Sequence, residues 1–505
     1  MKFNFLTRQK NVTKNYEDAV AYKMTPEYEL YSAVVTSGLQ ASFYENEDDR
    51  LARIQALIQK CHPEFVAKLA IYTRKQMYMR SIPLVLSVEL AKSINGNNTV
   101  SKMIDQVVQR ADEITELLAY YQLANRRTET KKLNKLSKQV QKGLAKSFNR
   151  FDEYQFAKYN AQAAVKLKDA LFLVHPKPKD EAQQLIFNKI ATDTLSTPYT
   201  WETELSALGT QRFANEKAKK AAFAQKWEEL IDSGKLGFMA LLRNLRNIIE
   251  AGVSAEHIQM VCDKLSDRKA VMNAKQLPFR FLSAYRELKG LSSSYTSAIL
   301  NALEDAVQVS ASNIRGFDMG TSVLLACDVS GSMQQSVSPK SKVMFYDIGL
   351  ILAMLLQSQC KNVITGMFGD RWKIINMPGK SVLQNVEAFY KREGEVGYST
   401  NGHLVIEDLI QRKAYVDKVM LFTDTQMWNS KGGQNTLYSE WVKYKNMAPK
   451  AKLYIFDLAG YGKQPIDIRQ DDVYLIAGWS DKIFDILAAM DNVGSAIAQI
   501  EGIEL

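Results

Sequence analysis

Several residue types that mark whole classes of protein are scarce in this 505-residue chain. Only four cysteines occur, and their spacing fits neither a disulfide framework nor a zinc knuckle. No stretch approaches the roughly 18 uninterrupted apolar residues of a membrane span, and residues 1–15 lack the apolar core of a signal peptide. We therefore expect reduced thiols in a cytoplasmic protein that is neither exported nor inserted into a membrane.

Histidine is equally rare, with four residues that do not cluster in sequence. Neither a zinc-binding histidine pair on a helix nor a Ser/His/Asp arrangement is visible. An RNA-processing enzyme would need a general base or a paired set of carboxylates, and the sequence offers neither. The sequence thus favours a protein that is not an enzyme.

Positive charge is in excess, but only in the first part of the chain. Residues 1–320 hold 46 Lys and Arg against 35 Asp and Glu, whereas residues 321–505 hold 19 against 20. A positive surface attracts polyanions and gains affinity by releasing their counterions. The first part is therefore the candidate for contact with nucleic acid.

Apolar residues recur at helical spacing from about residue 24 to 310, as in Leu51, Ile54 and Leu57. Breaks such as 94–97 separate the periodic segments. This pattern predicts an all-α array, and helix pairs of about 40 residues suit a superhelix of HEAT-like repeats.

The pattern changes near residue 320, where short apolar runs alternate with helical segments. The predicted strands are 322–327, 362–368, 418–422, 452–456 and 472–476. Buried strands that alternate with helices are typical of a parallel sheet covered on both faces. We predict a multidomain protein, with an α-helical module at 1–317 and a doubly wound α/β domain at 318–505.

Oxygen-bearing side chains follow the predicted strands, at the carboxyl ends where such sheets bind ligands. Five of them are candidate metal ligands: Asp328, Ser330, Ser332, Thr400 and Asp424. Hard oxygen donors with only two carboxylates suit Mg²⁺, with Mn²⁺ or Ca²⁺ as alternatives. The alternative interpretation is that residues 328–333 form a serine- and glycine-rich turn without a metal.

The Asp-x-Ser-x-Ser motif at 328–332, with Thr400 and Asp424, resembles the metal-ion-dependent adhesion site of von Willebrand factor A (vWA) domains. The resemblance covers about residues 320–505. It implies that the serines and the threonine contact the metal directly, that the aspartates often act through water, and that an acidic group of a protein ligand takes the open coordination position.

Residues 126–150 contain nine Lys or Arg and a single acidic residue, Glu129. On a helix five of the lysines share one face, opposite an apolar face. They are Lys131, Lys135, Lys138, Lys142 and Lys146. Such a row can follow phosphates without reading sequence. The alternative is a solvated helix face, which the lack of acidic partners one turn away disfavours because like charges repel.

Two further segments are similar to the TROVE (telomerase, Ro, vault) module. One is the Lys-Asp to His-Pro-Lys-Pro pattern within Val165–Pro178, and the other is Met239–Leu245, continued by Val261–Leu265 and Leu277–Phe281. With the vWA-like part, the similarity spans nearly the whole chain. The compact layout resembles the prokaryotic Ro proteins.

The resemblance to Ro proteins implies a ring of HEAT-like repeats closed by the vWA domain. In that family, Y RNA-like small structured RNAs bind the outer surface, and the ends of misfolded or precursor RNAs enter a basic cavity. By this resemblance four residues would lie on or near the RNA-binding surface: Lys158, Lys166, Lys168 and His175. The alternatives are that the lysines at 166 and 168 flank a helix start and that His175 is a helix-end cap. Arg243 and Asn244 are interpreted as buried polar residues.

We therefore predict a ribonucleoprotein component that acts in noncoding-RNA quality control or maturation, and an exoribonuclease is a candidate partner. The main alternative is a protein-binding scaffold that uses the helical array and the metal site. The basic run at 126–150 favours RNA, because an adaptor does not need it.

Overall fold

A computed structural model describes most of the chain. The residues described are 12–37, 45, 47–126, 136–160, 163–310, 320–337, 341–360, 362–377, 381–427, 436–468, 472–479, 487 and 496–505.

The described chain opens with an antiparallel hairpin of strands β1 (Val12–Lys14) and β2 (Val20–Lys23). Strand β2 also pairs with the short strand β8 (Lys463–Gln464), which completes a three-stranded sheet in the order β1-β2-β8. The hairpin departs from the all-α prediction for this part of the chain. Its strands are too short for a clear alternating pattern, and its sheet partner lies more than 400 residues away in sequence.

Helices are the regular elements of the other described residues up to 310, as their apolar spacing predicts. In chain order they are α1 (Pro26–Val35), α2 (Glu47–Ile58), α3 (Pro63–Lys75), α4 (Ser81–Ser93), α5 (Thr99–Val107), α6 (Asp112–Ala124), α7 (Lys138–Phe148), α8 (Glu153–Lys158), α9 (Leu167–Val174), α10 (Glu181–Thr192), α11 (Trp201–Gly209), α12 (Glu216–Asp232), α13 (Phe238–Ala251), α14 (Ala255–Ser266), α15 (Arg268–Ala274), α16 (Pro278–Leu288) and α17 (Thr296–Ser310). Among the described residues, no helix has the length and apolar character needed to cross a bilayer.

Local signals determine where several of these helices begin. The side chains of Thr25 and Asp180 each accept a hydrogen bond from the backbone N–H three residues later, as N-cap residues do. Pro26, Pro63 and Pro278 occupy the first turns of α1, α3 and α16, where the missing N–H is not needed. These starts follow from the sequence alone, because each signal acts within one turn.

The remaining described elements include those of an α/β layer structure. They are β3 (Ser322–Asp328), a 3₁₀ turn (Gly331–Gln334), α18 (Phe345–Gln359), β4 (Asn362–Phe368), β5 (Trp372–Ile374), α19 (Leu383–Tyr390), a second 3₁₀ turn (Glu393–Val396), α20 (His403–Gln411), β6 (Lys418–Thr423), α21 (Leu437–Met447), β7 (Lys452–Asp457), β8, β9 (Val473–Ala477) and α22 (Ala496–Glu501).

Six of these strands form one sheet in the order β5-β4-β3-β6-β7-β9. Strands β4, β3, β6, β7 and β9 are parallel, as predicted, and β5 is an antiparallel edge strand. The sheet is therefore mixed rather than wholly parallel. With three residues, β5 is too short to be distinguished from a loop in the sequence.

Helices cover both faces of this sheet. On one face Leu324, Leu421 and Leu453 pack with Leu409 of α20 and Trp441 of α21. On the other face Phe422 stacks on Phe456 with ring centroids 4.4 Å apart, and α18 lies against Phe422 at Gly349. Alternate residues of each strand thus enter two separate apolar layers, as in a doubly wound sheet.

Contacts divide the chain into two compact units. The first comprises residues 1–54, 241–249 and 255–499, and the second comprises residues 55–240, 250–254 and 500–505. The first unit contains the N-terminal hairpin and the mixed sheet, and the second contains helices α3 to α12. The domain boundary between residues 317 and 318 stays a prediction.

Candidate functional site

Asp328, the last residue of β3, is fully buried and accepts hydrogen bonds at both carboxylate oxygens. The Ser330 N–H donates to Oδ1 at 2.9 Å, and the Thr423 hydroxyl of neighbouring β6 donates to Oδ2 at 2.5 Å. Burial raises the pKa of Asp328 above its ordinary value, and the hydroxyls of Ser330 and Thr423 oppose the rise. The carboxylate is therefore held rigidly at the carboxyl edge of the sheet.

Ser330 and Ser332 lie in the turn that leaves β3, with their hydroxyl oxygens 3.3 Å apart. Both residues are buried. The Gly331 N–H between them donates to the Tyr398 carbonyl at 3.0 Å. This bond connects the turn to the loop that contains Thr400, which is also buried.

Asp424 follows β6, and its side chain is buried. Its Oδ1 accepts the Gln426 N–H at 3.0 Å, whereas Oδ2 accepts no hydrogen bond from the described residues. Burial and repulsion from Asp328 raise the pKa of Asp424, and the Ser332 hydroxyl opposes the rise. A buried carboxylate oxygen without a partner is costly, and a cation would satisfy it.

The structure thus brings Asp328, Ser330, Ser332 and Asp424 together and places Thr400 on an adjoining loop. Within the described part of the chain, no group of three or more His, Cys, Asp or Glu side chains could hold a metal ion. Any metal at this edge would therefore depend on hydroxyl oxygens as well as carboxylates. The ligand set and the identity of the metal stay predictions.

Two residues that donate hydrogen bonds to the carboxylates of this site were not predicted from the sequence. Thr423 supports Asp328, and a hydroxyl at the end of β6 was a local signal that could have identified it. Gln426 supports Asp424 through its backbone N–H, which no side-chain pattern reveals.

The basic helix has the two faces that were predicted for it. In α7, Lys138, Lys142 and Lys146 are exposed one turn apart, and Val140 and Leu144 are fully buried. Lys142 Nζ donates to Asn98 Oδ1 at 3.1 Å, and Lys146 Nζ lies 3.7 Å from Asp105 Oδ2. The predicted Lys131 and Lys135 lie outside the described residues.

The four candidates taken from the family resemblance occupy different settings. Lys158 is exposed, with its ammonium 5.6 Å from the Tyr154 ring and 5.7 Å from the Tyr159 ring. Lys166 is exposed at the N-cap of α9, and Lys168 pairs with Asp193 at 2.9 Å. His175 is exposed and ends α9 with a left-handed backbone at φ 50°. Lys166 thus lies at a helix start and His175 caps a helix end, which are the positions that the alternatives to RNA contact predict for them.

The interpretation of Arg243 and Asn244 as a buried pair is wrong for one of them. Asn244 is buried and accepts a hydrogen bond from Asn247 at 2.9 Å, whereas Arg243 is exposed. Adjacent residues on a helix point about 100° apart, so the edge of a buried face passes between them.

Comparison with known protein families identifies a match over more than half of the chain. Residues 33–221 and 191–313 match the TROVE domain, and the two matches together cover more than half of the chain. The chain belongs to the TROVE family. The predicted relation to Ro and TROVE proteins is therefore confirmed.

Curated relatives of this TROVE chain include telomerase protein component 1 of Rattus norvegicus, 26% identical over 314 residues, and of Mus musculus, 25% identical over 325 residues. The matches cover 46% and 49% of this chain but 11% and 12% of the relatives. The matched part of the chain thus spans about a tenth of the length of these proteins.

Among solved structures, the chain is similar to the crystal structure of the Deinococcus radiodurans RO (RSR) protein. The TM-score is 0.60 at 18% sequence identity, over 92% of this chain and 99% of that chain. The similarity extends through the helical part and the mixed sheet, which confirms the fold class at that level.

Proposed function

We propose that this TROVE-family chain is a non-enzymatic RNA-binding protein that works as a ribonucleoprotein. Its RNAs would be Y RNA-like structured noncoding RNAs and the ends of misfolded or precursor RNAs, in noncoding-RNA quality control or maturation. The proposal includes HEAT-like repeats in the helical part, a vWA-like α/β domain and an exoribonuclease as a partner. Family membership and the exposed lysine row of α7 support it.

The lysine row is the observation that carries this proposal. Burial of Val140 and Leu144 fixes the rotation of α7, so that Lys138, Lys142 and Lys146 must face outward. Ammonium groups one turn apart, about 6 Å along the surface, are spaced closely enough to contact successive phosphates of one strand. The row lacks planar side chains that read base edges, so the expected binding is electrostatic and tolerant of sequence.

The test is the salt dependence of RNA binding. Binding of a small hairpin RNA should weaken as salt rises, with a slope of several negative units in log K against log salt. Replacing Lys138, Lys142 and Lys146 with glutamine should reduce the slope by about one unit for each phosphate that the variant no longer neutralises.

A matched control removes the same charge elsewhere. Lys391, Lys413 and Lys450 are exposed lysines of the other compact unit. Their triple replacement with glutamine should leave the slope near its wild-type value. Equal reductions in both variants would mean that net charge, and not the α7 row, determines binding.

The carboxyl edge of the sheet supports a second proposal, a vWA-like metal site that takes an acidic group of a protein ligand. Its supporting observation is the buried Asp424 Oδ2 without a hydrogen-bond partner among the described residues, next to two serine hydroxyls. Asp328, Ser330, Ser332, Thr400 and Asp424 would hold the metal, with Mg²⁺ the expected ion because the set is made of hard oxygens with two carboxylates. When bound, the ion supplies an open coordination position for a carboxylate.

Calorimetric titration of Mg²⁺ or Mn²⁺ into the full-length protein tests the metal site. Wild-type protein should bind one ion, and Asp328→Ala should bind it much more weakly because one of two carboxylates is removed. Equal metal affinity in wild type and Asp328→Ala would contradict the assignment of Asp328 as a metal ligand. If protein ligands bind the metal site but no RNA binds, the scaffold alternative replaces the RNA-binding proposal.

A further inference from the structure

The turn of the N-terminal hairpin contacts the segment that follows Asp424. Asn15 is buried in this turn, and its Oδ1 accepts the N–H groups of Glu17 and Ala19, each at 3.0 Å. Its Nδ2 donates to the Met427 carbonyl at 2.9 Å. One side chain therefore both closes the hairpin turn and holds the segment 424–427.

The next residue makes a second connection. The Tyr16 N–H donates to Gln426 Oε1 at 3.0 Å, and the Gln426 N–H in turn donates to Asp424 Oδ1 at 3.0 Å. Gln426 is completely buried between these two neighbours. The hairpin thus reaches the Asp424 carboxylate through a single intervening residue.

The segment 424–427 needs such support, because its backbone is strained. Thr425 has φ 67°, a left-handed conformation that β-branched residues rarely adopt. Its N–H donates to Thr423 Oγ1 at 3.1 Å and its hydroxyl to the Lys463 carbonyl at 2.9 Å. Strand β8, which contains Lys463, pairs with β2 of the same hairpin.

The same segment also contacts the loop of Thr400. A Cβ added to Gly402 would lie 2.7 Å from the Met427 sulfur, so the Met427 side chain packs directly on the backbone of that loop. Met427 is the residue whose carbonyl Asn15 holds. Displacement of Met427 would therefore disturb both loops that bring oxygen side chains to the site.

We propose that the hairpin turn, through Asn15 and Tyr16, positions the candidate metal ligands and sets the affinity of the site for a divalent cation. This turn is the Asn15 clasp, and the proposal rests on the metal site described under the proposed function. Asn15 is a positioning residue, because it acts on Asp424 and Thr400 through Gln426 and Met427. Metal binding and hairpin closure stabilise each other, since coupling between two sites is reciprocal.

The test compares Mg²⁺ affinity in full-length variants by calorimetry. Asn15→Asp keeps the oxygen that closes the turn, removes the donor to Met427 and places a carboxylate oxygen against that carbonyl. We expect Mg²⁺ to bind about tenfold more weakly, the effect of removing one buried hydrogen bond. Thr25→Ala is the matched control, because it removes the N-cap of α1 in the same N-terminal segment without touching residues 424–427.

A residue that only stabilises the fold would change the melting temperature without changing the Mg²⁺ affinity. Thr25→Ala should lower the melting temperature in EDTA and leave the Mg²⁺ affinity unchanged, whereas Asn15→Asp should change the affinity. Unchanged affinity in Asn15→Asp, with wild type binding Mg²⁺, overturns the clasp and leaves the metal site standing. Absence of Mg²⁺ binding by wild type overturns both.

Hydrogen exchange in the wild type gives a second measurement, which decides the proposal even if Asn15→Asp does not fold. Saturating Mg²⁺ should slow exchange of the Tyr16 amide, which donates to Gln426. The amide of Gln184, whose partner is the Asp180 carbonyl in the other compact unit, is the internal reference and should not change. Equal exchange of Tyr16 with and without Mg²⁺ would contradict the clasp.

Discussion

Arg286 connects three helices through one guanidinium group. From α16 it reaches Asp347 in the first turn of α18 with two bonds of 2.7 Å, and Glu387 of α19 with one bond of 2.6 Å. Asp347 is completely buried, so its charge depends on this bidentate interaction. Partial burial lowers the Arg286 pKa, but the two carboxylates outweigh burial and raise the pKa above its ordinary value.

Replacing Arg286 with alanine should lower the free energy of unfolding by about 3–5 kcal/mol, because Asp347 would stay buried without its charged partner and keep only the Met344 N–H as a hydrogen-bond donor. Denaturant unfolding of the full-length protein measures the decrease. Arg412→Ala removes a partly exposed pair with Asp408 and should change stability by less than about 1 kcal/mol. Similar decreases in both variants would mean that burial of Asp347 does not determine the effect.

Glu387 gives stability a dependence on acid pH. Partial burial raises its pKa, but hydrogen bonds and charges from Arg286 and Lys289 outweigh burial and hold the pKa below its ordinary value of 4.5. A depressed pKa in the folded state means that the carboxylate stabilises the fold above pH 4.5 and that this contribution is lost as pH falls through the folded-state pKa.

Accordingly, Glu387→Gln should be less stable than wild type at pH 7, and the difference should shrink as pH falls below about 4.5. Thermal melts at pH 7, 5 and 4 would show it. A difference that stays constant over this range would assign the destabilisation to packing rather than to the carboxylate charge.

At the scale of elements, helix α7 packs so closely on α5 that it requires a glycine. A Cβ at Gly143 would lie 2.7 Å from Ile104 Cβ and 3.0 Å from the Ser101 carbonyl oxygen. Ile104 is completely buried and the Ser101 carbonyl is backbone, so neither can move away easily. The glycine thus brings the helix that carries the lysine row against its neighbour.

Gly143→Ala tests this packing, because two opposing effects compete. Alanine improves helix propensity by about 1 kcal/mol, but overpacking costs about 1–3 kcal/mol and should dominate. We expect a lower melting temperature. Gly209→Ala, at the end of α11, meets no atom within 4 Å and should be neutral or stabilising; higher stability in both variants would show that α7 shifts freely.

For the whole molecule, basic charge and the acidic oxygen cluster belong to different compact units. The lysines of α7 lie in the unit that contains residues 55–240, and Asp328 and Asp424 lie in the other. Electrostatic RNA binding and metal binding should therefore fail independently of each other.

Asp328→Ala should abolish tight Mg²⁺ binding while RNA affinity stays within about threefold of wild type, a ratio of roughly 0.7 kcal/mol. The triple glutamine variant at Lys138, Lys142 and Lys146 should show the reverse, with weak RNA binding and normal Mg²⁺ affinity. Filter binding and calorimetry on the same two preparations measure both. A large drop in RNA affinity in Asp328→Ala would mean that the metal site supports RNA binding.

Features that depend on local periodicity could be predicted from the amino-acid sequence. The apolar spacing predicted the helices, and the short apolar runs predicted the parallel strands β3, β4, β6, β7 and β9. The two faces of α7 followed from 3.6 residues per turn. The Ro and TROVE motifs could also be recognised in the sequence, because they consist of particular residue types at fixed spacing. The cluster of Asp328, Ser330 and Ser332 was predictable because the three residues leave one strand together.

Contacts between residues that are far apart in sequence could not be predicted in this way, because they depend on how the elements pack. The pairing of β2 with β8 and the contact of Asn15 with Met427 join segments more than 400 residues apart. No periodic pattern encodes such pairs, because a lone asparagine or a two-residue strand satisfies many partners equally well. The Asp424 oxygen without a hydrogen bond from the described residues, and the close approach at Gly143, likewise became visible only after packing fixed which atoms meet.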